Sequence, residues 1–352
     1  MRKNSVLLWI VVVGLLLEFC FACKKKEYNV INHLRFPNTE ELTVLKVDSV
    51  DDVYMRYPLR VRKKDSCLFV LDLLSMENAC HSFAYPTMKH INSFAVKGNG
   101  PEEFIRVDEI RLSAEGECWI LDPNRSRISC FEYNAPNSLS KVVELDTGLV
   151  RTLDFVFYQD SLFIVPDYTG IHRFHILSST GKIIESHGKI PMKEKNPNIP
   201  YIAYGQAWRS YMDYNPDNGI LAIVTQMGEV IELYSLPDGK LITLITGFYG
   251  EPTFDYIQGN VIPNGIMGYA DVFVGKNNIY TIFEGHTFKD IASKKFNKEG
   301  GNRIRIFDLE GNPVKEYILD RYISGFIIDE ETSSIICLDV NDDQPIIEYK
   351  MI

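Results

Sequence analysis

Leu59 to Asp72 reads LRVRKKDSCLFVLD: an apolar strand, a polar turn, a second apolar strand and an acidic stop. The same line recurs at Asp108 to Asp122 (DEIRLSAEGECWILD), Asp154 to Asp167 (DFVFYQDSLFIVPD) and Asp213 to Thr225 (DYNPDNGILAIVT). It returns at Asp271 to Glu284 (DVFVGKNNIYTIFE) and Gly325 to Asp339 (GFIIDEETSSIICLD). The copies are spaced by about 45–60 residues, the length of a four-stranded repeating unit. A second hairpin follows each copy. Arg173 to Leu177 turns at Ser179-Thr180-Gly181, Glu229 to Leu236 turns at Asp238-Gly239, and Arg303 to Leu309 turns at Gly311-Asn312. Gly in a short loop between alternating strands is the hairpin signal. Each unit therefore supplies strands a to d, numbered outward from a common axis.

The last unit lacks its fourth strand, because only Pro345 to Ile352 follows its strand b. A spare strand stands at the other end, Glu40 to Val47 (EELTVLKV). Pairing the two closes the ring and leaves no wide sheet edge. The expected fold is an all-β six-bladed β-propeller over residues 40–352, with four-stranded antiparallel blades and closure by an N-terminal strand. No helical period of useful length follows the leader.

The leader is the sharpest local signal. Arg2 and Lys3 precede an apolar run from Val6 to Leu17, which is too short to span a bilayer but suits a secretory signal. Ala22 before Cys23 resembles a bacterial lipobox, so residues 1–22 are expected to be removed and Cys23 acylated; plain cleavage or an uncleaved anchor is the other reading. Cys20 stands where such a box usually has Leu. Residues 23–39 read as a polar tether. The lysines at 24–26, in place of acidic residues, favour an outer-membrane anchor facing the periplasm.

Net charge is −10, and removing the leader leaves 35 basic against 46 acidic residues. That balance, without a basic stripe, argues against nucleic acid as a partner. Five cysteines remain after the leader, an odd number, so at least one thiol is free. Cys118 and Cys130 flank a turn almost symmetrically, and they read either as a cross-strand bridge or as two core thiols.

Gly98-Asn99-Gly100-Pro101-Glu102-Glu103-Phe104, then Ile110-Arg111-Leu112, Trp119-Ile120-Leu121-Asp122, Asn124, Arg127-Ile128 and Phe131, resembles the six-bladed propeller lipoproteins common in Bacteroidota. These are similar to TolB-like and NHL propellers. The resemblance implies the fold and an envelope location, and it carries no catalytic residues.

Propeller geometry puts the b–c and d–a loops on one face and the a–b and c–d turns on the other. The long insertions fall on the first face and carry Tyr201, Tyr204, Trp208, Tyr249, Phe254 and Tyr256. These aromatics are candidates for ligand binding, or they pad that end of the ring. Asp108, Asp154, Asp213 and Asp271 open strand a in four units. They are candidates for an acidic ring holding Ca²⁺, or they bond the neighbouring blade's backbone. Asp72, Asp122, Asp167, Glu284 and Asp339 end strand b and read as turn formers. No GxSxG, HExxH or Walker motif is present. The expected function is a non-enzymatic envelope lipoprotein, held to the membrane by its lipid and engaging a protein, peptide or glycan through its decorated face. The alternative is a metal-dependent propeller hydrolase or lyase working at the axial mouth.

Overall fold

The computed structural model describes residues 28–50, 53–132, 135–159 and 161–352. The leader and Cys23 lie outside the described residues. In chain order come β1 (Asn29–Asn32), β2 (Thr39–Leu42) and β3 (Lys46–Asp48). Blade one is β4 (Pro58–Lys64), β5 (Cys67–Asp72), β6 (Asn78–Ala84) and β7 (Lys89–Val96). Blade two is β8 (Glu109–Leu112), β9 (Cys118–Asp122), β10 (Arg127–Glu132) and β11 (Ala135–Glu144). Blade three is β12 (Val156–Tyr158), β13 (Leu162–Pro166), β14 (Phe174–Leu177) and β15 (Ile183–His187). Helix α1 (Tyr201–Ala207) leads into blade four, which is β16 (Ser210–Asn215), β17 (Ile220–Thr225), β18 (Val230–Ser235) and β19 (Lys240–Thr246). A small hairpin, β20 (Phe254–Ile257) and β21 (Asn260–Pro263), precedes blade five. That blade is β22 (Tyr269–Val274), β23 (Asn278–Phe283), β24 (Gly301–Asp308) and β25 (Pro313–Ile323), with helix α2 (Phe288–Ala292) between its second and third strands. Blade six is β26 (Gly325–Asp329), β27 (Ser334–Leu338) and β28 (Ile346–Lys350), completed by β3. Six sheets therefore form the propeller that the repeats imply.

Strand b of each blade is almost continuously apolar because it is covered on both sides. Alternate side chains of β5 serve different neighbours: Phe69 and Leu71 join the core shared with blade two, whereas Leu68 and Val70 join the core shared with blade six. In β9, Ile120 faces blade one, while Trp119 and Leu121 face blade three. Each junction between blades thus holds its own hydrophobic cluster, six in all. Cys67, Cys80 and Cys118 lie in one such cluster and Cys130 in the next. Cys118 pairs with Phe131, and Cys130 with Trp119, so the two thiols are out of register for a bridge and both are free.

The N-terminal segment corrects two expectations. The closing strand is shorter than 40–47: Lys46, Val47 and Asp48 pair antiparallel with Glu348, Ile347 and Ile346. Residues 39–42 instead run parallel to β25 as a fifth strand on blade five, with Leu42 buried and Glu40 paired to Lys315 at 3.0 Å. The chain steps between blades at Val44, whose N–H donates to the Asp320 carboxylate at 3.2 Å. The described part of the expected tether is also docked, since β1 runs parallel to β19 and Leu34 and Phe36 pack between blades four and five. Parallel addition to an outer strand needs no hairpin, so no turn signal announces it.

Candidate functional site

Strand a brings charged side chains to the axis by alternation: Arg60 and Arg62 from β4, Glu109 and Arg111 from β8. Arg60 Nε donates to Glu109 at 3.1 Å and Arg62 Nη2 donates to the same carboxylate at 2.7 Å. Arg111 bridges two blades, donating to Asp154 at 3.0 Å and Asp213 at 2.8 Å. Burial pushes Glu109 up, but Arg62, Arg111 and Arg60 outweigh it and hold the carboxyl below its usual range. Asp154 moves the other way: burial raises it to about 7 despite Arg111.

These carboxylates do not fit a Ca²⁺ cage, because arginines stand among them. Asp154 and Asp213 share Arg111, Asp271 lies 3.9 Å from Arg60, and Asp108 pairs with Arg106. Their remaining oxygens do what short aspartates do in tight structure. Asp154 accepts from Met212 N–H at 2.8 Å and Asp213 from Val274 N–H at 2.7 Å, each bonding the next blade's backbone.

On the a–b side of this cluster the axis opens into a cavity of about 1070 Å³ lined by strand a or a–b turn residues of all six blades. Half-buried Phe157, Tyr214 and Phe273 stand on its wall, and Arg62, Arg111 and Asp213 line it deeper in. The opposite face carries the insertions. There Tyr204 and Trp208 are buried in a cluster with Ile190, Ala207, Val230 and Leu244, and the Phe254 ring meets Tyr204 edge-on at 5.6 Å. The padding role therefore describes Tyr204 and Trp208. Tyr201 and Tyr249 are exposed, and Tyr256 is half-buried. Tyr249 stands apart from the Tyr204 cluster, against Phe248 and Phe283.

The strand-b acids act as turn formers with one exception. Asp72 accepts from Tyr57 N–H at 2.7 Å, Asp122 from Ile105 N–H at 2.8 Å, Asp167 from Thr169 N–H at 2.7 Å, and Asp339 from Asn341 N–H at 2.8 Å. Asp72 and Asp122 thereby clasp the incoming d–a connection. Glu284 differs: burial, with the Glu299 charge nearby, pushes its carboxyl up to about 7. Glu299 itself accepts from the Tyr57 hydroxyl at 2.7 Å.

The Gly98–Phe104 motif is structural. Glu103 folds back to accept from Gly100 N–H at 2.7 Å, and a Cβ on Gly98 would meet that carboxylate at 2.0 Å. Arg127 ties the turn by donating to the Pro101 and Glu103 carbonyls, each at 2.7 Å. Arg60, Arg62, Glu109 and Arg111 are not among the candidates named above from the sequence. The signal was there in Arg-x-Arg and Glu-x-Arg, since a two-residue spacing puts both charges on one side of a strand.

The structure resembles a Bacteroides fragilis protein described as exported, with a TM-score of 0.60 and 12% identity, covering 91% of this chain and 97% of that one. It also resembles a DUF4221-family member from Bacteroides vulgatus (TM-score 0.56, 11% identity, 88% and 96% covered). A third similar structure is virginiamycin B lyase from Staphylococcus aureus (TM-score 0.50, 12% identity, 85% and 98% covered). At these identities the likeness speaks for the fold alone. No curated protein sequence matches the chain. The family model for TolB-like 6-blade propeller-like proteins matches residues 36–331, and with the six closed blades this places the chain in the TolB-like six-blade propeller family.

Proposed function

We propose that the chain is a non-enzymatic, lipid-anchored propeller of the cell envelope that engages a protein partner through its b–c and d–a loops. One observation carries the reading: exposed large apolar side chains gather on that face. Phe248 is 82% exposed, Tyr54 77% and Met76 73%, and Tyr201, Tyr249 and Ile257 stand on the same loops. Among the described residues, the a–b and c–d hairpin turns contribute no exposed large apolar side chain, and at that end of the ring Leu45 and Ile352, which flank β3 and β28 of blade six, are exposed. Apolar groups spread across the loops of several blades suit a broad macromolecular contact, with aromatic anchors supplying most of its energy. The Ala22-Cys23 pair and the exported Bacteroides neighbour support an envelope location. The lysines after Cys23 support a periplasm-facing anchor.

Two measurements test this. Cys23→Ala is expected to release the protein from the detergent phase, because stable anchoring takes more than one acyl chain and this cysteine would carry them. Continued partitioning of that variant into detergent overturns the anchor. A photo-crosslinker at position 248 is expected to capture a discrete protein adduct in intact cells. Without the crosslinker, Phe248→Ser with Tyr249→Ser should reduce co-purification of that same protein about tenfold or more, as loss of an aromatic hot spot implies. Both side chains are exposed, so the melting temperature should stay within a degree or two. An adduct of glycan alone, or recovery unchanged by the double substitution, overturns the protein-partner reading.

A further inference from the structure

We propose that the axial cavity on the a–b face is a second binding site, one that takes an organic cation: the guanidinium or ammonium end of a basic peptide side chain, entering along its apolar stem. The site lies on the face opposite the proposed partner surface, so either reading can fail without the other.

Size comes first. A volume of about 1070 Å³ is at the upper end of ordinary ligand pockets and accommodates several side chains. Charge decides the sign of the ligand. The cavity's deeper cations are matched from within: Arg111 by Asp154 and Asp213, Arg62 by Glu109, and Lys63 by Asp329 at 2.8 Å. Carboxylates remain around the mouth without a cationic partner. Asp65, Glu115 and Glu331 are exposed on a–b turns of blades one, two and six. Glu117 accepts from the Trp119 indole N–H at 3.0 Å, and Glu330 from Lys276 N–H at 3.1 Å, and both contacts leave the charge uncancelled. Against these five stand two lining lysines without a carboxylate partner. Lys64 donates to the Ala114 carbonyl at 3.0 Å, and Lys141 lies over the Trp119 ring at 5.6 Å. The mouth therefore carries an excess of three negative charges over a low-dielectric wall, an arrangement that focuses a field attracting cations.

The wall supplies the second half of the recognition. Phe157, Tyr214 and Phe273 come from strand a of three successive blades and stay half-buried, with ring surface available to the cavity. Aromatic faces attract a desolvating ammonium or guanidinium and pack against its methylene stem. A carboxylate or phosphate ligand would meet the negative mouth and find the charges of Arg62 and Arg111 below already matched by carboxylates, with only the Nε of each left without a hydrogen bond.

The test uses the full folded chain from residue 24 and two probes: agmatine alone, and a capped peptide Gly-Arg-Gly-Arg-Gly. Trp119 is a wall residue, whereas Trp208 is buried near the other face, so a fluorescence change lost in Trp119→Phe reports this cavity. Saturable binding of the peptide is expected. It should weaken about tenfold at 0.15 M salt in the variant Asp65→Asn, Glu115→Gln, Glu331→Gln, as removal of three partly solvated attractions implies. All three substitutions fall on exposed turns, and Asn tolerates the positive φ at position 65, so the fold should persist. Tighter binding of the peptide than of agmatine assigns the cation to a peptide, and equal binding assigns it to a free amine. Absence of saturable binding by both probes, or affinity unchanged in the triple variant, overturns the site.

Discussion

Deleting residues 28–48 is expected to abolish cooperative unfolding, whereas deleting 28–44 should only lower the melting temperature. The difference lies in β3. Residues 46–48 supply the fourth strand of blade six, so the longer deletion exposes the outer edge of β28 and leaves the last blade with three strands. It also removes Asp48, which is buried beside that strand. An open edge next to the junction of the first and last blades lets the ring part there, and the hydrophobic cluster shared by those blades begins to take up water. The shorter deletion removes outer straps alone. Leu42 is its one fully buried apolar side chain, worth about 1.5–3 kcal/mol, and Ile31, Leu34 and Phe36 are only partly buried. A domain of ordinary stability, about 5–15 kcal/mol, survives that loss with a lower midpoint. Thermal melts followed by near-ultraviolet circular dichroism separate the two variants. If the 28–48 deletion melts within a few degrees of the 28–44 deletion, closure does not rest on β3.

Most of this architecture could be read from the residues, and the exceptions have physical causes. The strands b were legible because two-sided burial makes them unbroken apolar runs: CWILD in β9 and SIICL in β27 admit no solvent face. The hairpins were legible because Gly and Asp mark their turns. The straps were not. NVIN and TEEL show no alternation, and their place is set by the outer strands they lie beside rather than by any pattern of their own. Loop length was a mixed guide to the decorated face. In the 191–208 insertion it led to Tyr201, which is exposed, but also to Tyr204 and Trp208, which α1 turns inward to seal blades three and four. The cavity was invisible for a related reason. Its walls are strand a residues and tight turns, and no unusual length or composition marks them in the chain.

Arg111→Met is expected to cost about 3–5 kcal/mol, the loss that follows when one member of a buried ion pair is removed and the other stays charged. Three carboxylates lose a partner together: Asp154 and Asp213 through hydrogen bonds, and Glu109 through a contact at 3.6 Å. The Met212 carbonyl also loses its bond from the guanidinium, at 2.6 Å. Methionine fills much of the same volume, so a cavity accounts for little of the deficit. The effect should depend on pH in a stated direction. Burial already raises Asp154 to about 7, and Arg111 opposes that rise, so its removal moves the carboxyl higher still. A carboxyl whose folded value exceeds its unfolded one binds more protons in the native state, and stability then falls as pH rises between the two values. The deficit of Arg111→Met relative to the parent should therefore be smaller at pH 5.5 than at pH 8, measured as the difference in urea midpoints. Adding Asp154→Asn to Arg111→Met should recover part of the loss at pH 8 and little at pH 5.5, because the amide stands in for the protonated acid. A deficit that is the same at both pH values, or no recovery in the double variant, would show that Asp154 is not the charge Arg111 compensates.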